Sequence, residues 1–150
     1  MKKILLLLIA LSIVSCKNSS EKKEEIKEEP KIEETVHTSE GDEVVLDNGK
    51  LWVANKDTTI GIDKMKSRLN SFTDSENVAA YQILKEGLET DFTELFQKCT
   101  MKGEAHNQLH NYLLPMIDIF DGIGSSDLAT CKKNFQDLNN HLKSYASFFK

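Results

Sequence analysis

The residues best suited to chemistry in this chain lie in one short stretch, residues 99–110. His106 and His110 are four residues apart, so on a helix both imidazoles project from one face and can share a metal ion. Cys99 and Met101 precede them and add soft sulfur donors, which together with imidazole favour copper or zinc over magnesium or calcium. The stretch therefore predicts a metal site that takes copper or zinc.

A third imidazole and a further sulfur are expected close to this cluster. If the helices alternate in direction, a rise of about 1.5 Å per residue puts Met65, His110 and His141 in one layer, with His106 one turn away. The chain's remaining histidine, His37, lies far from these segments in the sequence. The candidate metal ligands are therefore His106, His110, His141, Met65, Met101 and Cys99.

Ordinary structural roles stay open for the same side chains. The three histidines fall at the edges of apolar helix faces, where histidine commonly reaches water or bonds a neighbour. Met65 lies on a core stripe, where methionine commonly fills space. Glu104 is either a further ligand or a first-turn acid that the helix dipole favours. Haem, held by Met65 and a histidine, is a less favoured variant of the metal hypothesis, since the sequence has no Cys-x-x-Cys-His attachment motif.

Other classes of function lack their sequence signatures. No acid pair, nucleophile constellation or Gly-rich phosphate loop is visible, so we do not expect an enzyme. Residues 44–150 contain fourteen acidic and twelve basic side chains, a net charge of −2, and they form no basic patch. Nucleic acid is therefore not an expected partner.

Four segments with helical spacing of apolar residues must position the candidate ligands: residues 58–72, 75–99, 103–120 and 126–149. The last is the most regular, with apolar residues alternating by three and four, which is typical of left-handed bundle packing. Because short links make successive helices antiparallel neighbours, the predicted fold class is all-α, an up-down four-helix bundle.

Several residues predict where these helices begin or bend. Asp57 or Thr58 is expected to cap the first helix, and Ser125 or Ser126 the fourth. Pro115 lies inside the third segment and lacks an N–H, so a kink is expected there. The kink either opens the bundle beside the histidines or, as we favour, bends the helix around the core.

A short extended segment or hairpin is expected before the bundle, at residues 44–53. Asn48-Gly49 between apolar runs is a hairpin signal, and an extended strap without strand pairing is the alternative. Because an isolated hairpin is marginal in water, Trp52 is expected to anchor the segment on the bundle.

Residues 1–15 have the form of a lipoprotein signal peptide. A lysine pair is followed by an apolar run of eleven residues, 4–14, well short of the roughly 20 that span a bilayer. Ile13-Val14-Ser15-Cys16 resembles a lipobox. That resemblance implies cleavage before Cys16, diacylation of its thiol and acylation of the new amine, which together anchor the protein stably in a membrane.

Residues 16–43 are predicted to be a disordered acidic tether between this anchor and a bundle domain at 44–150. The segment contains ten acids and five lysines and almost no large apolar side chain, too little to offset the entropy of ordering it. Lys17, rather than Asp, follows the anchor. By analogy with lipoprotein sorting, this indicates the outer membrane, with the protein facing the periplasm or exposed at the surface.

Cys99 and Cys131 are predicted to be free thiols. In an up-down bundle their Cα atoms are roughly 20 Å apart, whereas a disulfide needs them within about 7 Å. We expect Cys131 to be structural, and Cys99 to be either structural or a metal ligand.

The pattern W-x-x-N-x-x-T at residues 52–58, together with C-x-M-x-G-x-A-H-x-x-L-H at 99–110, resembles a family of small, uncharacterised Bacteroidetes-type lipoproteins. The resemblance implies a helical envelope protein, and similar helical domains occur with heavy-metal efflux systems. Two hypotheses stay open. One is a metal-binding envelope lipoprotein, and the other is a non-catalytic structural or partner-binding one with no metal site.

Overall fold

The structure is a computed structural model, and it describes residues 42–150. The predicted signal at 1–15, the anchor Cys16 and residues 17–41 of the tether, with His37, lie outside the described residues. The described part forms helices and no strand, which confirms the all-α fold class. No helix between residues 42 and 150 combines the length and the apolarity needed to cross a bilayer.

Five α-helices and one short 3-10 turn make up the described part of the chain. They are α1 (Lys56–Asn70), α2 (Val78–Lys98), α3 (Glu104–Leu113), α4 (Pro115–Ile123) and α5 (Leu128–Ser144), followed by the 3-10 turn Tyr145–Ser147. Three of the predicted segments correspond to α1, α2 and α5, with ends that differ by a few residues. The third predicted segment is divided into α3 and α4.

Pro115 causes this division. Leu114 keeps helical dihedral angles, and its N–H donates to the His110 carbonyl at 2.9 Å. Pro115 has no N–H to continue the hydrogen-bond ladder. The Ile117 N–H donates to the Leu114 carbonyl at 3.1 Å, a bond that spans three residues instead of the four of an α-helix. The expected kink is therefore an interruption, and α3 carries His106 and His110 as a separate short helix.

The observed helix starts differ from the predicted ones. α1 begins after Asn55, and the Thr58 hydroxyl donates to the Asn55 side chain at 2.6 Å. α5 begins after Asp127, whose carboxylate accepts the Thr130 N–H at 2.9 Å. An ionised acceptor at this position satisfies a first-turn N–H that has no partner inside the helix. The predicted caps are therefore wrong: Asp57, Thr58, Ser125 and Ser126.

Two contacts show that α1 and α2 pack in opposite directions, and a further contact joins α4 to α5. Gly61 early in α1 lies against Leu95 late in α2, so closely that a Cβ on Gly61 would come within 2.9 Å of Leu95. Phe72, just after α1, contacts Tyr81 early in α2, with ring centroids 4.7 Å apart. Late in α4, Gly122 lies against Asn134, which is in the first half of α5.

One apolar core lies between the helices. The predicted stripe of the last helix is largely buried in it, through Cys131, Leu138, Leu142, Tyr145 and Phe149. Leu128 and Phe135, from the same stripe, are half-buried and pack against the core. The regular apolar spacing therefore identified the buried face of this helix correctly.

The segment before α1 crosses to the C-terminal end of the chain. Asn48 and Gly49 have φ angles of 49° and 82°, and the flanking Asp47 and Lys50 exchange backbone hydrogen bonds of 2.9 and 3.0 Å. Further along, the Trp52 N–H donates to the Phe148 carbonyl at 2.8 Å, and the Lys150 N–H donates to the Trp52 carbonyl at 2.9 Å. The Trp52 side chain is half-buried. This arrangement ties the segment to the end of the described helices.

Candidate metal site

A sharp reversal between α2 and α3 brings the candidate ligands together. Cys99 follows the last residue of α2 in an extended conformation. Gly103 closes the link with a φ of 62° and a ψ of −149°, a conformation that glycine adopts without the clash other residues suffer. α3 then starts at Glu104, so Cys99 and the first turn of α3 lie side by side.

Cys99, His106 and His110 form the cluster at this reversal. The Cys99 sulfur lies 3.6 Å from Nδ1 of His106. The rings of His106 and His110, which are one helical turn apart, have centroids 4.4 Å apart and an interplanar angle of 61°. All three side chains are half-buried. We call these three residues the Cys99 cluster.

The sulfur–nitrogen separation in the Cys99 cluster fits a shared ion. Zinc binds thiolate at about 2.3 Å and imidazole nitrogen at about 2.0 Å, which puts the two donors about 3.5 Å apart across a tetrahedral angle. The observed 3.6 Å matches that separation. It equally fits a thiol–imidazole hydrogen bond, so this geometry holds Cys99 and His106 at a bonding distance with or without an ion.

An aromatic wall lies beside the cluster. Phe96, in the last turn of α2, meets the His110 ring edge-on, with centroids 5.4 Å apart and an angle of 89°. Phe92 packs against Phe96 at 4.8 Å, and against Phe120 of α4 at 5.3 Å. The wall connects the cluster to the core and limits the positions that the His110 ring can take.

His141 is engaged with a different residue, Tyr112. Its Nε2 lies 2.7 Å from the Tyr112 carbonyl oxygen, the Tyr112 hydroxyl donates to the His141 carbonyl at 2.6 Å, and the two rings stack at 4.4 Å. Burial lowers the pKa of His141, although the Tyr112 carbonyl partly opposes that shift. At neutral pH the ring is therefore uncharged, and its Nε2–H donates to Tyr112.

Neither candidate methionine takes part in the sulfur–nitrogen and ring contacts described for the Cys99 cluster. Met65 is 0% exposed, within the core. Met101 lies in the link before Gly103, half-buried and packed against the core edge. The three residues of the predicted layer therefore have different neighbours. Met65 lies in the core interior, His110 packs against Phe96, and His141 packs against Tyr112.

Two polar residues outside the predicted ligand set, Glu104 and Gln108, hold the first turn of α3. Gln108 donates to the Glu104 carboxylate at 2.8 Å, and its side-chain oxygen accepts the Val45 N–H at 2.8 Å. Glu104 thus acts as a first-turn acid and a partner of Gln108. The four-residue spacing of Glu104 and Gln108 predicts their contact, whereas no local signal predicts the contact with Val45.

Within residues 42–150, no group of three or more histidine, cysteine, aspartate or glutamate side chains is arranged to hold a metal ion. In the Cys99 cluster two donors are at a bonding separation, and the His110 ring meets the His106 ring at a steep angle. No family model, no curated protein and no solved structure matches this chain.

Proposed function

We propose that this chain is a non-catalytic envelope lipoprotein, anchored in the outer membrane through Cys16, whose helical domain binds copper or zinc at the Cys99 cluster. The lysine pair, the apolar run and the lipobox-like sequence in residues 1–16 support the anchor. The acidic segment that follows is then a tether, which lets the helical domain reach away from the lipid surface, in the periplasm or at the cell surface.

The observation that carries the metal proposal is the 3.6 Å between the Cys99 sulfur and Nδ1 of His106. Two residues from different sides of a chain reversal are held at the separation that a tetrahedral ion requires. His110 is the proposed third donor, since it lies one helical turn from His106 on α3 and its ring centroid is 4.4 Å from that of His106. For copper alone, whose soft character suits a thioether, Met101 is the nearest further sulfur in the sequence and would complete the ligand set.

Haem is the weaker version of this proposal. Met65, the sulfur proposed for an axial position, is 0% exposed in a filled core. His141 already uses Nε2 for Tyr112. A tetrapyrrole would have to displace both arrangements, whereas a single ion at the Cys99 cluster displaces neither.

The up-down bundle is proposed as the arrangement that serves this site. The opposite directions of α1 and α2 support it, as does the contact of Gly122 in α4 with Asn134 in α5. So does the contact between Phe92 in α2 and Phe120 in α4. In such a bundle α3 and α4 together take the place of one of the four helices. The Cys99 cluster then lies at one end, where α2 passes into α3.

A structural or partner-binding lipoprotein is the second candidate. It is favoured by Ile83, which lies on the outer face of α2 with 70% of its surface exposed, and by the exposed Ile60 of α1 and Ile117 of α4. Single exposed apolar residues are common on monomeric proteins. They therefore support an envelope partner less strongly than the Cys99 cluster supports a metal ion.

Titration of the purified full chain with Zn²⁺ and with Cu⁺ tests the proposal. We expect calorimetric binding of one ion per chain, which His106→Ala combined with His110→Ala removes. His141→Gln is the matched control and keeps the affinity, because His141 faces Tyr112. Equal affinity in the wild type and the double variant would contradict the metal proposal and leave the second candidate.

A further inference from the structure

A cleft lies where α1 ends and α2 and α5 begin. It has a volume of about 320 Å³, and its lining includes Phe72, Tyr81, Phe135, Lys132 and Glu76. Clefts that hold small molecules commonly enclose about 300–1,000 Å³ and combine apolar walls with a few polar groups. None of these residues belongs to the Cys99 cluster, so the cleft requires an explanation of its own.

Three aromatic rings form the wall of the cleft. Phe72 and Tyr81 have centroids 4.7 Å apart, Phe72 and Phe135 5.5 Å, and Tyr81 and Phe135 6.2 Å. The interplanar angle of Tyr81 and Phe135 is 81°, close to edge-to-face. Since each ring is fixed by the other two, the wall is preorganised to receive a flat aromatic group.

The Tyr81 hydroxyl is a buried polar group among the residues that line the cleft. Tyr81 is only 1% exposed, and its hydroxyl has no hydrogen-bond partner among the residues 42–150 described here. Within that same range no fully enclosed side-chain oxygen or nitrogen lacks a partner, so this hydroxyl keeps a small exposure to water, and Tyr81 lines the cleft. Burial raises the pKa of Tyr81, which keeps the hydroxyl protonated and able to donate a hydrogen bond.

A replaceable ion pair lies at the mouth of the cleft. Lys132 donates to the Glu76 carboxylate at 2.5 Å, and the Glu76 side chain is 76% exposed. Exposed ion pairs contribute little to stability. A carboxylate that enters the cleft can therefore take the place of Glu76 beside Lys132 at small cost.

We propose that this cleft binds a small aromatic carboxylate. The ring of the ligand lies against Phe72 and Phe135. Its carboxylate accepts hydrogen bonds from the Tyr81 hydroxyl and the Lys132 ammonium, and displaces Glu76. The ligand thereby gives the buried Tyr81 hydroxyl a hydrogen-bond acceptor and pairs with the Lys132 cation at the mouth of the cleft.

The ligand class is tested by NMR titration of the full chain with benzoate, benzamide and acetate. Benzamide has the shape of benzoate without its charge, and acetate has the charge without the ring. We expect saturable shifts of the backbone amide signals around Glu76 and Lys132 with benzoate. Benzamide and acetate should bind at least about tenfold more weakly, as expected for the loss of a hydrogen bond to a charged group or of the aromatic contact.

Variants of the polar residues make the test specific. Tyr81→Phe and Lys132→Gln should each weaken benzoate about tenfold or more, whereas Glu76→Gln should tighten it by removing the competing carboxylate. Lys133→Gln is the matched control with unchanged affinity, because Lys133 pairs with Asp137 away from the cleft. Circular dichroism verifies that each variant is folded. Equal binding of benzoate and benzamide, no shifts at the cleft, or no tightening in Glu76→Gln would each overturn the proposal.

Discussion

The buried carboxylate of Asp91 is predicted to be the main polar contribution to the stability of the α1–α2 pair. Its side chain is 0% exposed. Arg68 donates to both of its oxygens, at 2.7 and 3.0 Å, and Lys64 approaches at 3.2 Å. Burial alone would raise the pKa of Asp91, but the hydrogen bonds from Arg68 and Lys64 outweigh it and lower that pKa. The carboxylate is therefore ionised and fully paired.

Two substitutions separate the charge from its partner. Asp91→Asn keeps the shape but faces the Arg68 donors with an amide, and Arg68→Met keeps apolar volume but leaves the carboxylate enclosed with Lys64 alone. Breaking a buried pair costs about 3–5 kcal/mol. Because Arg68 is partly exposed and its cation can return to water, we expect a cost below that range for Asp91→Asn, about 2–3 kcal/mol. Arg68→Met should cost more, about 3–4 kcal/mol.

Urea unfolding of the full chain at several pH values measures both effects. A lowered folded pKa stabilises the protein above the unfolded value of about 3.9, and this contribution is lost as the pH falls through the folded value. The difference between wild type and Asp91→Asn should therefore narrow below about pH 4. Glu94→Gln is the control. The pKa of Glu94 is lowered to about 2 by Lys64 and Lys98, but the Glu94 side chain is 40% exposed, so its loss should cost less than that of Asp91. A cost for Asp91→Asn no larger than that for Glu94→Gln, or a difference that is independent of pH, would refute this reasoning.

Two further predictions concern the cysteines. Cys16→Ala should abolish incorporation of labelled fatty acid and release the protein from membranes; a wild type that never incorporates the label would contradict the anchor. Cys99 and Cys131 are both free in the structure, so thiol titration of the denatured, unreduced mature chain should find two thiols. Finding none would mean that the two form a disulfide and that the helix arrangement is wrong.

The sequence predicted features whose cause is local. The apolar spacing of α5 identified its buried residues, and Pro115 marked the interruption between α3 and α4. The lack of a disulfide between Cys99 and Cys131 followed from helix lengths and was confirmed. In each case the period of the helix or the chemistry of one residue is sufficient to determine the outcome.

Features that depend on the register between helices were not predictable in the same way. Nothing near His141 indicates that its ring stacks on Tyr112, 29 residues earlier. The pairing of Asp91 with Arg68 likewise depends on how far α1 slides along α2, which the close approach of Gly61 to Leu95 helps to fix. A layer assembled from helix rise alone does not give the direction in which the side chains of Met65, His110 and His141 point, and these side chains contact the core, Phe96 and Tyr112 respectively.

X-ray absorption at the zinc edge of the zinc-loaded full chain tests the central claim most directly, because it identifies the atoms around the ion. We predict one sulfur at about 2.3 Å together with imidazole nitrogen at about 2.0 Å. The sulfur should disappear in Cys99→Ser and persist in Cys131→Ser, where the altered thiol is the one that donates to the Ser125 carbonyl. A wild-type spectrum with nitrogen and oxygen ligands only, or a sulfur that persists in Cys99→Ser, would contradict a metal site at the Cys99 cluster.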